Sequence, residues 1–261
     1  MAVAIAVMLP DPRQVGRVWW RHAIAWTRFY RTSILLNFVE PITGLVALGI
    51  GLGSYVHLID GTSFLQFIAP GLVSVTAMNA VSFDSLFATY NYLNENRVYP
   101  SMITSPLTVD DLVAGTILWE ATRSLLYGGT FLCIIALFGL VHSWAALLVL
   151  PLLVLTGVMF SAPAMCMAAL AQVFEQMFYY ITLVITPMFM FSGIFFPPNR
   201  LPHSVQAAIW FTPLYHVAHL ARSFVLGKMS ADLLGDVAWM VVFTALALLF
   251  PARLIRRKLL V

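Results

Sequence analysis

Long apolar runs separated by short polar connections fill the chain from residue 37 to residue 251. A helix crossing the hydrocarbon of a bilayer needs about 20 mainly apolar residues, because its backbone must satisfy itself there without water. Six runs reach that length, over residues 37–59, 64–89, 112–140, 144–171, 177–196 and 233–251. The pattern predicts an all-α membrane protein with six transmembrane helices. The connections are unequal: 57–63 and 141–143 are tight turns, whereas 91–111 and 197–232 are long enough to carry function.

Ahead of the first run the pattern changes. Between Val15 and Ser33, Arg17, Arg21, Arg28 and Arg31 recur on one helical face, interleaved with Trp19, Trp26, Phe29 and Tyr30. This predicts an amphipathic helix in the cytoplasmic headgroup layer, where arginine meets anionic lipid and tryptophan tolerates the interface. A plain basic flank that orients the first run is the simpler alternative. The chain thus divides into an N-terminal cytoplasmic segment, 1–33, and a transmembrane domain, 34–261.

Composition agrees with burial in lipid. The chain is 61% hydrophobic and 10% charged, whereas soluble domains are about half apolar and a quarter charged. No stretch is left for a separate soluble domain. A net charge of +3 is too small to suggest a nucleic-acid partner; its placement says more. Arg13, Arg17, Arg21, Arg28, Arg31, Arg97, Arg253, Arg256, Arg257 and Lys258 fall on one side of six spans, against Arg200, Arg222 and Lys228 on the other. Lysine and arginine accumulate on the cytoplasmic side, so both termini are expected inside. The apolar opening 1–9 lacks a basic lead and a small-residue cleavage site, unlike a signal peptide.

Few residues offer chemistry. Cys133 and Cys166 lie in apolar runs and read as packing residues, and His216 and His219 share a helical face without an acidic third ligand nearby in sequence, so no metal is expected. Ionisable groups inside spans are costly and therefore candidates for function. They are Asp84, Glu120 and Arg123, the last two spaced to neutralise each other on one helix, as a structural pair or as part of a transport path. Gly49 and Gly53 form a small-xxx-small pair for close helix approach. In the inner connection, Thr108 and Asp111 make a capping box that fixes a helix start. Residues 94–103 before it are long enough for a short cytoplasmic helix, broken at Ser105-Pro106, that docks on a soluble partner. The outer connection is punctuated by Pro197, Pro202 and Pro213, and its apolar stretch 205–211 is too short to span. Hairpin-like segments dipping into the outer leaflet follow, tolerated only where protein or a water-filled cavity surrounds them.

In these two connections the chain resembles the ABC-2 type exporter permeases. The likeness is carried by Ser105-Pro106-Leu107-Thr108 with Leu112 and Gly115, then by Phe191-Ser192-Gly193, Phe196-Pro197, Leu201-Pro202, Gln206, Pro213-Leu214, His216, Arg222 and Gly227. Trp19 to Trp26, the 49–53 glycine run, Phe83 to Tyr90 and the Arg256-Arg257-Lys258-Leu259 end make it most similar to the nodulation-type (NodJ-like) lipo-oligosaccharide export permeases. The resemblance implies a homodimer of six-span subunits in a bacterial cytoplasmic membrane, working with two copies of a cytoplasmic ABC ATPase. It implies a coupling helix within 94–105 that meets the ATPase through Glu95, Arg97, Ser105, Pro106 and Leu107. It implies an interface helix bearing Arg17, Trp19, Arg21, Trp26 and Arg28. It further implies outward re-entrant helices built around Phe191, Ser192, Gly193, Pro197, Leu201, Pro202, Gln206, Pro213, His216 and Arg222. Glu95-Asn96-Arg97-Val98 stands where the family commonly has a Glu-Arg-x-Gly sequence.

The chain contains no P-loop. ATP and Mg would therefore sit on the partner, with no cofactor and no catalysis in this chain. The resemblance implies export of a lipid-linked or amphiphilic glycan; efflux of hydrophobic drugs is the alternative within the family. An intramembrane acyl or glycosyl transferase would need a catalytic Asp or His pair at the membrane face. Asp110 and Asp111 instead read as acids complementing a helix start.

Overall fold

The computed structural model describes residues 10–260 except 52, 54, 56, 57, 60, 199 and 200, with the backbone alone at 29, 31–38, 40, 50, 58, 59 and 260. The opening run 1–9, the side chains of Phe29 and Arg31, residue 57 of the first tight turn, and Arg200 lie outside the described residues.

Helix α1 (Pro12–Gly51) is 40 residues long, about 60 Å at the α-helical rise. Proline suits the first helical position, where its missing N–H has no intrahelical partner anyway. From Arg17 to Glu40 there is no glycine or proline to stop the helix, so the stretch expected as a separate interfacial helix continues into the first apolar run. A two-residue hairpin, β1 (Leu58–Ile59) with β2 (Thr62–Ser63), follows. Helix α2 (Phe64–Tyr90) starts at a capping box between Ser63 and Gln66 and runs into a π turn over Asn91–Glu95. After the short α3 (Val98–Met102), α4 (Val109–Leu137) begins at the Thr108–Asp111 capping box read from the sequence. A 3₁₀ turn, Trp144–Leu148, leads into α5 (Val149–Leu170).

The fifth apolar run folds as α6 (Gln176–Tyr180) and α7 (Thr186–Phe191) joined by a π turn. The outer connection holds α8 (His203–Trp210) and α9 (Pro213–Leu226), and the chain continues through α10 (Leu233–Leu248) and α11 (Pro251–Leu260). Each apolar run is largely helical, although the first extends past α1 into β1 and residues 192–196 of the fifth lie beyond α7. Among the described residues, three helical stretches are long and apolar enough to cross a membrane: Phe64–Glu95, Trp144–Leu170 and Leu233–Leu259. Helix α4 has the length, 29 residues, but Glu120 and Arg123 dilute its apolarity; Gln176–Phe191 is apolar but shorter.

Helix α2 is the axis of the bundle. Ile68, Ala69, Val73, Ala77, Met78, Val81 and Leu86 are wholly or almost wholly buried among α1, α4, α5 and α9. Helices α4 and α5 approach so closely that a Cβ on Gly157 would lie 2.6 Å from the Ala121 Cα. Likewise a Cβ on Gly115 would meet Val18 at 2.6 Å and the Val15 carbonyl at 2.9 Å, which lets α1 lie against α4. Only glycine allows such backbone contact. Of the pair expected to serve this purpose, Gly49 faces the flexible end of Leu65, and Gly53 has no close neighbour outside its own stretch.

Candidate functional site

At one end of the bundle, the turn from α2 to α4 is built on an inward tyrosine. Arg97 adopts a left-handed conformation (φ 47°), which reverses the chain after the π turn and aims α3 back over the bundle. Tyr99 on α3 is then fully buried with Leu93, Val109, Leu112, Met165 and Ile255, and its hydroxyl lies 3.4 Å from the Thr116 Oγ1. Burial pushes the Tyr99 phenol up to about 12. With that side chain down, Glu95, Arg97, Ser101, Thr104, Ser105 and Pro106 face outward as a ridge, and Leu107 is half-buried. Of the residues expected from sequence at this turn, Glu95, Arg97, Ser105 and Pro106 are exposed and Leu107 is only partly so. Tyr99, which holds that surface, was missed, because nothing in the local pattern sets it apart from its neighbours.

Other segments tie this end together. The Asp11 backbone N–H donates to Asp111 (2.7 Å), joining the start of α1 to the start of α4. Arg256 on α11 forms an ion pair with Asp110, Lys258 donates to the Ala171 carbonyl (2.6 Å), and Ile255 is fully buried beneath. Asp110 and Asp111 thus cap and clamp a helix start.

Along the bundle, α1 and α4 run side by side in the same direction. Trp19 donates its indole N–H to Thr122 (2.9 Å) and Trp26 donates to the Tyr127 hydroxyl (3.0 Å). Arg21 stacks over the Tyr92 ring at 4.9 Å, while Arg17 and Arg28 are exposed. The tryptophans of the basic face are therefore half-buried against protein. Contacts of Ala77 with Gly128 and of Asp84 with Arg123 rise in opposite directions along α2 and α4, so these helices are antiparallel. Arg123 forms its ion pair with Asp84 across the helices rather than with Glu120 along its own. The long arginine reaches α2, while Glu120 lies in the same contact with Oε2 buried and without a hydrogen-bond partner. The hydroxyls of Ser82 and Ser85 are buried in the same condition, so polar atoms line a seam through an apolar bundle.

The other long connection forms a helical hairpin. Gly193 sits at φ +72° with Pro198 packed on it, and Gly227 ends α9 at the same φ. Arg222 is fixed by donating to the carbonyls of Phe67 and Gly193, both at 3.0 Å, and its guanidinium lies 3.8 Å from the Phe67 ring centre. Gln206 donates to the Leu201 carbonyl (2.7 Å). Ser192, Gly193 and Pro197 are buried, Phe191 and Pro202 are exposed, and Leu201 and Pro213 are intermediate.

His216 and His219 of α9 meet the two oxygens of Asp236 on α10, at 2.6 and 2.7 Å, and the second nitrogen of His216 meets the Trp210 carbonyl at 2.7 Å. The acid that partners the two histidines therefore comes from the next helix. Its signal was present in the sequence, since Asp236 is an ionisable residue inside an apolar run. Among the described residues no group of three or more His, Cys, Asp or Glu is arranged to hold a metal.

The family model described as ABC-2 type transporter matches residues 13–226. Nodulation protein J of Rhizobium leguminosarum bv. viciae is 34% identical over 242 residues, 93% of each chain. Nodulation protein J of Rhizobium meliloti (strain 1021) is 33% identical over 242 residues, 93% of this chain and 92% of the relative. The inner membrane transport permease YadH of Escherichia coli (strain K12) is 24% identical over 243 residues, 92% of this chain and 93% of the relative. The chain belongs to the ABC-2 type transporter family.

Proposed function

We propose that two copies of this chain form the membrane half of an exporter that moves a lipid-linked or amphiphilic glycan from the cytoplasm outward. Family membership makes the chain a non-catalytic permease subunit that carries no cofactor and pairs with an ABC ATPase, on which ATP binds. In the proposed arrangement six helices cross the inner membrane, with both termini and the α3 turn on the cytoplasmic side. Asp11 to Asp111 and Arg256 to Asp110 support this, because they bring the start of α1, the α3 turn and α11 to one end. In this arrangement Arg17 sets the start of α1 at the cytoplasmic headgroups, and Asp84, Glu120 and Arg123 stand at the depth of Arg21 to Arg28, because Trp19 meets Thr122 and Trp26 meets Tyr127. The α8–α9 hairpin re-enters from outside. The glycan cargo is inferred from the nodulation relatives, which share about a third of their residues with this chain.

The observation that carries the reading is the ridge over Tyr99, with Glu95, Arg97, Ser105 and Pro106 outward and one large side chain buried beneath. A rigid, exposed turn of this kind suits the transmission of a push from a soluble motor. Copurification of the chain with its ATPase, followed by ATP hydrolysis in nanodiscs, tests this. Arg97→Glu with Ser105→Glu should weaken ATPase docking by roughly tenfold, as loss of a central interface contact does. Unchanged docking and unchanged hydrolysis in that variant would place the motor elsewhere.

A further inference from the structure

A cavity of about 790 Å³ opens beside the α8–α9 hairpin, between it and the start of α2. Phe67, Gln206, Trp210, His219, Arg222 and Lys228 line it, and no described carboxylate does. Three of these groups are aimed by features already described. Arg222 is anchored by two backbone carbonyls and the Phe67 ring. The Asp236 carboxylate meets His219 at Nδ1 and Tyr215 stacks flat on the same ring, which holds the imidazole at the cavity wall. The left-handed turn at Gly227 lets the Lys228 N–H return to the Ser223 carbonyl at 2.9 Å, which sets lysine at the cavity edge. The surroundings are apolar: Trp210 and Met229 in the lining, and Phe211 against Trp210, are 47%, 54% and 69% exposed.

Cationic groups inside with large apolar side chains around them match one class of ligand: an amphiphile whose head bears an oxyanion. Arginine and lysine take up phosphate-like oxygens through charge-assisted hydrogen bonds, while the aromatic and methionine side chains accept the apolar portion. We propose that this cavity binds the phosphate-class head group of a membrane amphiphile at the outer end of the export path. The placement outside rests on the proposed topology; the site itself rests on the lining. The headgroup of a resident phospholipid and a free soluble phosphate share this chemistry, and the amphiphile is favoured because the cavity opens among exposed apolar side chains.

Native mass spectrometry of the purified permease–ATPase complex in a neutral detergent tests the site with three probes: phosphatidylglycerol, an uncharged digalactosyl lipid with the same acyl chains, and glycerol 3-phosphate. Phosphatidylglycerol is expected to bind once per permease chain, and at least about tenfold more tightly than either other probe. Lys228→Gln, at an exposed position outside the packed helices, should weaken phosphatidylglycerol by roughly tenfold and leave the uncharged lipid unchanged. Equal binding of the charged and uncharged lipids, glycerol 3-phosphate binding as tightly as phosphatidylglycerol, or indifference to Lys228→Gln would each overturn the proposal. Glycan export that persists while phosphatidylglycerol binding fails these criteria would overturn the site alone. Loss of ATPase docking without change in lipid binding would bear on the export mechanism alone.

Discussion

Tyr99 fixes the α3 turn through a single buried ring, so its substitutions separate packing from hydrogen bonding. Tyr99→Ala should destabilise the complex by about 3 kcal/mol, the usual cost of emptying a large aromatic site, and uncouple hydrolysis from the membrane half. Tyr99→Phe forfeits only the long contact with Thr116 and should cost about 1 kcal/mol or less. The buried phenol also has a pH signature. Its folded value of about 12 lies above the ordinary 10, so between those pH values the unfolded state has lost a proton that the folded state keeps. The stabilisation is complete below pH 10 and disappears as pH rises toward 12. Thermal unfolding of Tyr99→Phe should lack that alkaline component. The ion pair between Asp84 and Arg123 gives a second residue-level test. Arg123→Gln alone leaves a carboxylate uncompensated beside Glu120 and should cost about 3–5 kcal/mol, and Asp84→Asn added to it should recover most of the loss. If the double variant is no more stable than the single one, Asp84 is not the partner that matters.

Helix starts and punctuation were legible at the scale of elements. The Thr108–Asp111 capping box fixed the start of α4, and the prolines at 202 and 213 marked the starts of α8 and α9, because caps and prolines act within one turn. Contacts between elements were not legible. The sequence pattern suggested Gly49 and Gly53 as the close approach, whereas the backbone contacts lie at Gly115 and Gly157, whose neighbours are far away in the chain. Glu120 and Arg123 looked like a pair because a helix places them together, but α2 supplies a better partner across the bundle. The glycines yield a direct test. Gly157→Val places new atoms on the Ala121 backbone and should destabilise by about 1–3 kcal/mol through overpacking. Gly44→Ala, with nothing within 4 Å of the new Cβ, should be neutral or stabilising by up to about 1 kcal/mol from helix propensity. Melting curves of the two purified variants compare them, and equal melting would mean that α4 and α5 are not held at backbone contact.

For the whole molecule, the gathering of α1, the α3 turn and α11 at one end suggests that the ATPase meets a braced surface rather than an isolated loop. Detaching α11 should loosen that surface: Ile255→Asp places a charge in a fully buried site, and proteolysis near residues 95–105 should accelerate in the variant. The membrane character and the division between two long connections could be read from apolar length and arginine placement, which are properties of single segments. The outer cavity could not, since the side chains that line it converge only after folding, as Phe67, His219 and Lys228 do. The central claim is that this chain is a motor-dependent half of an exporter. ATP-driven movement of a fluorescent lipid-linked oligosaccharide across proteoliposomes tests it most directly. Movement is expected only when permease, ATPase and ATP are all present, with none under an ion gradient alone; movement by the permease alone, driven by such a gradient, would show that no motor is needed.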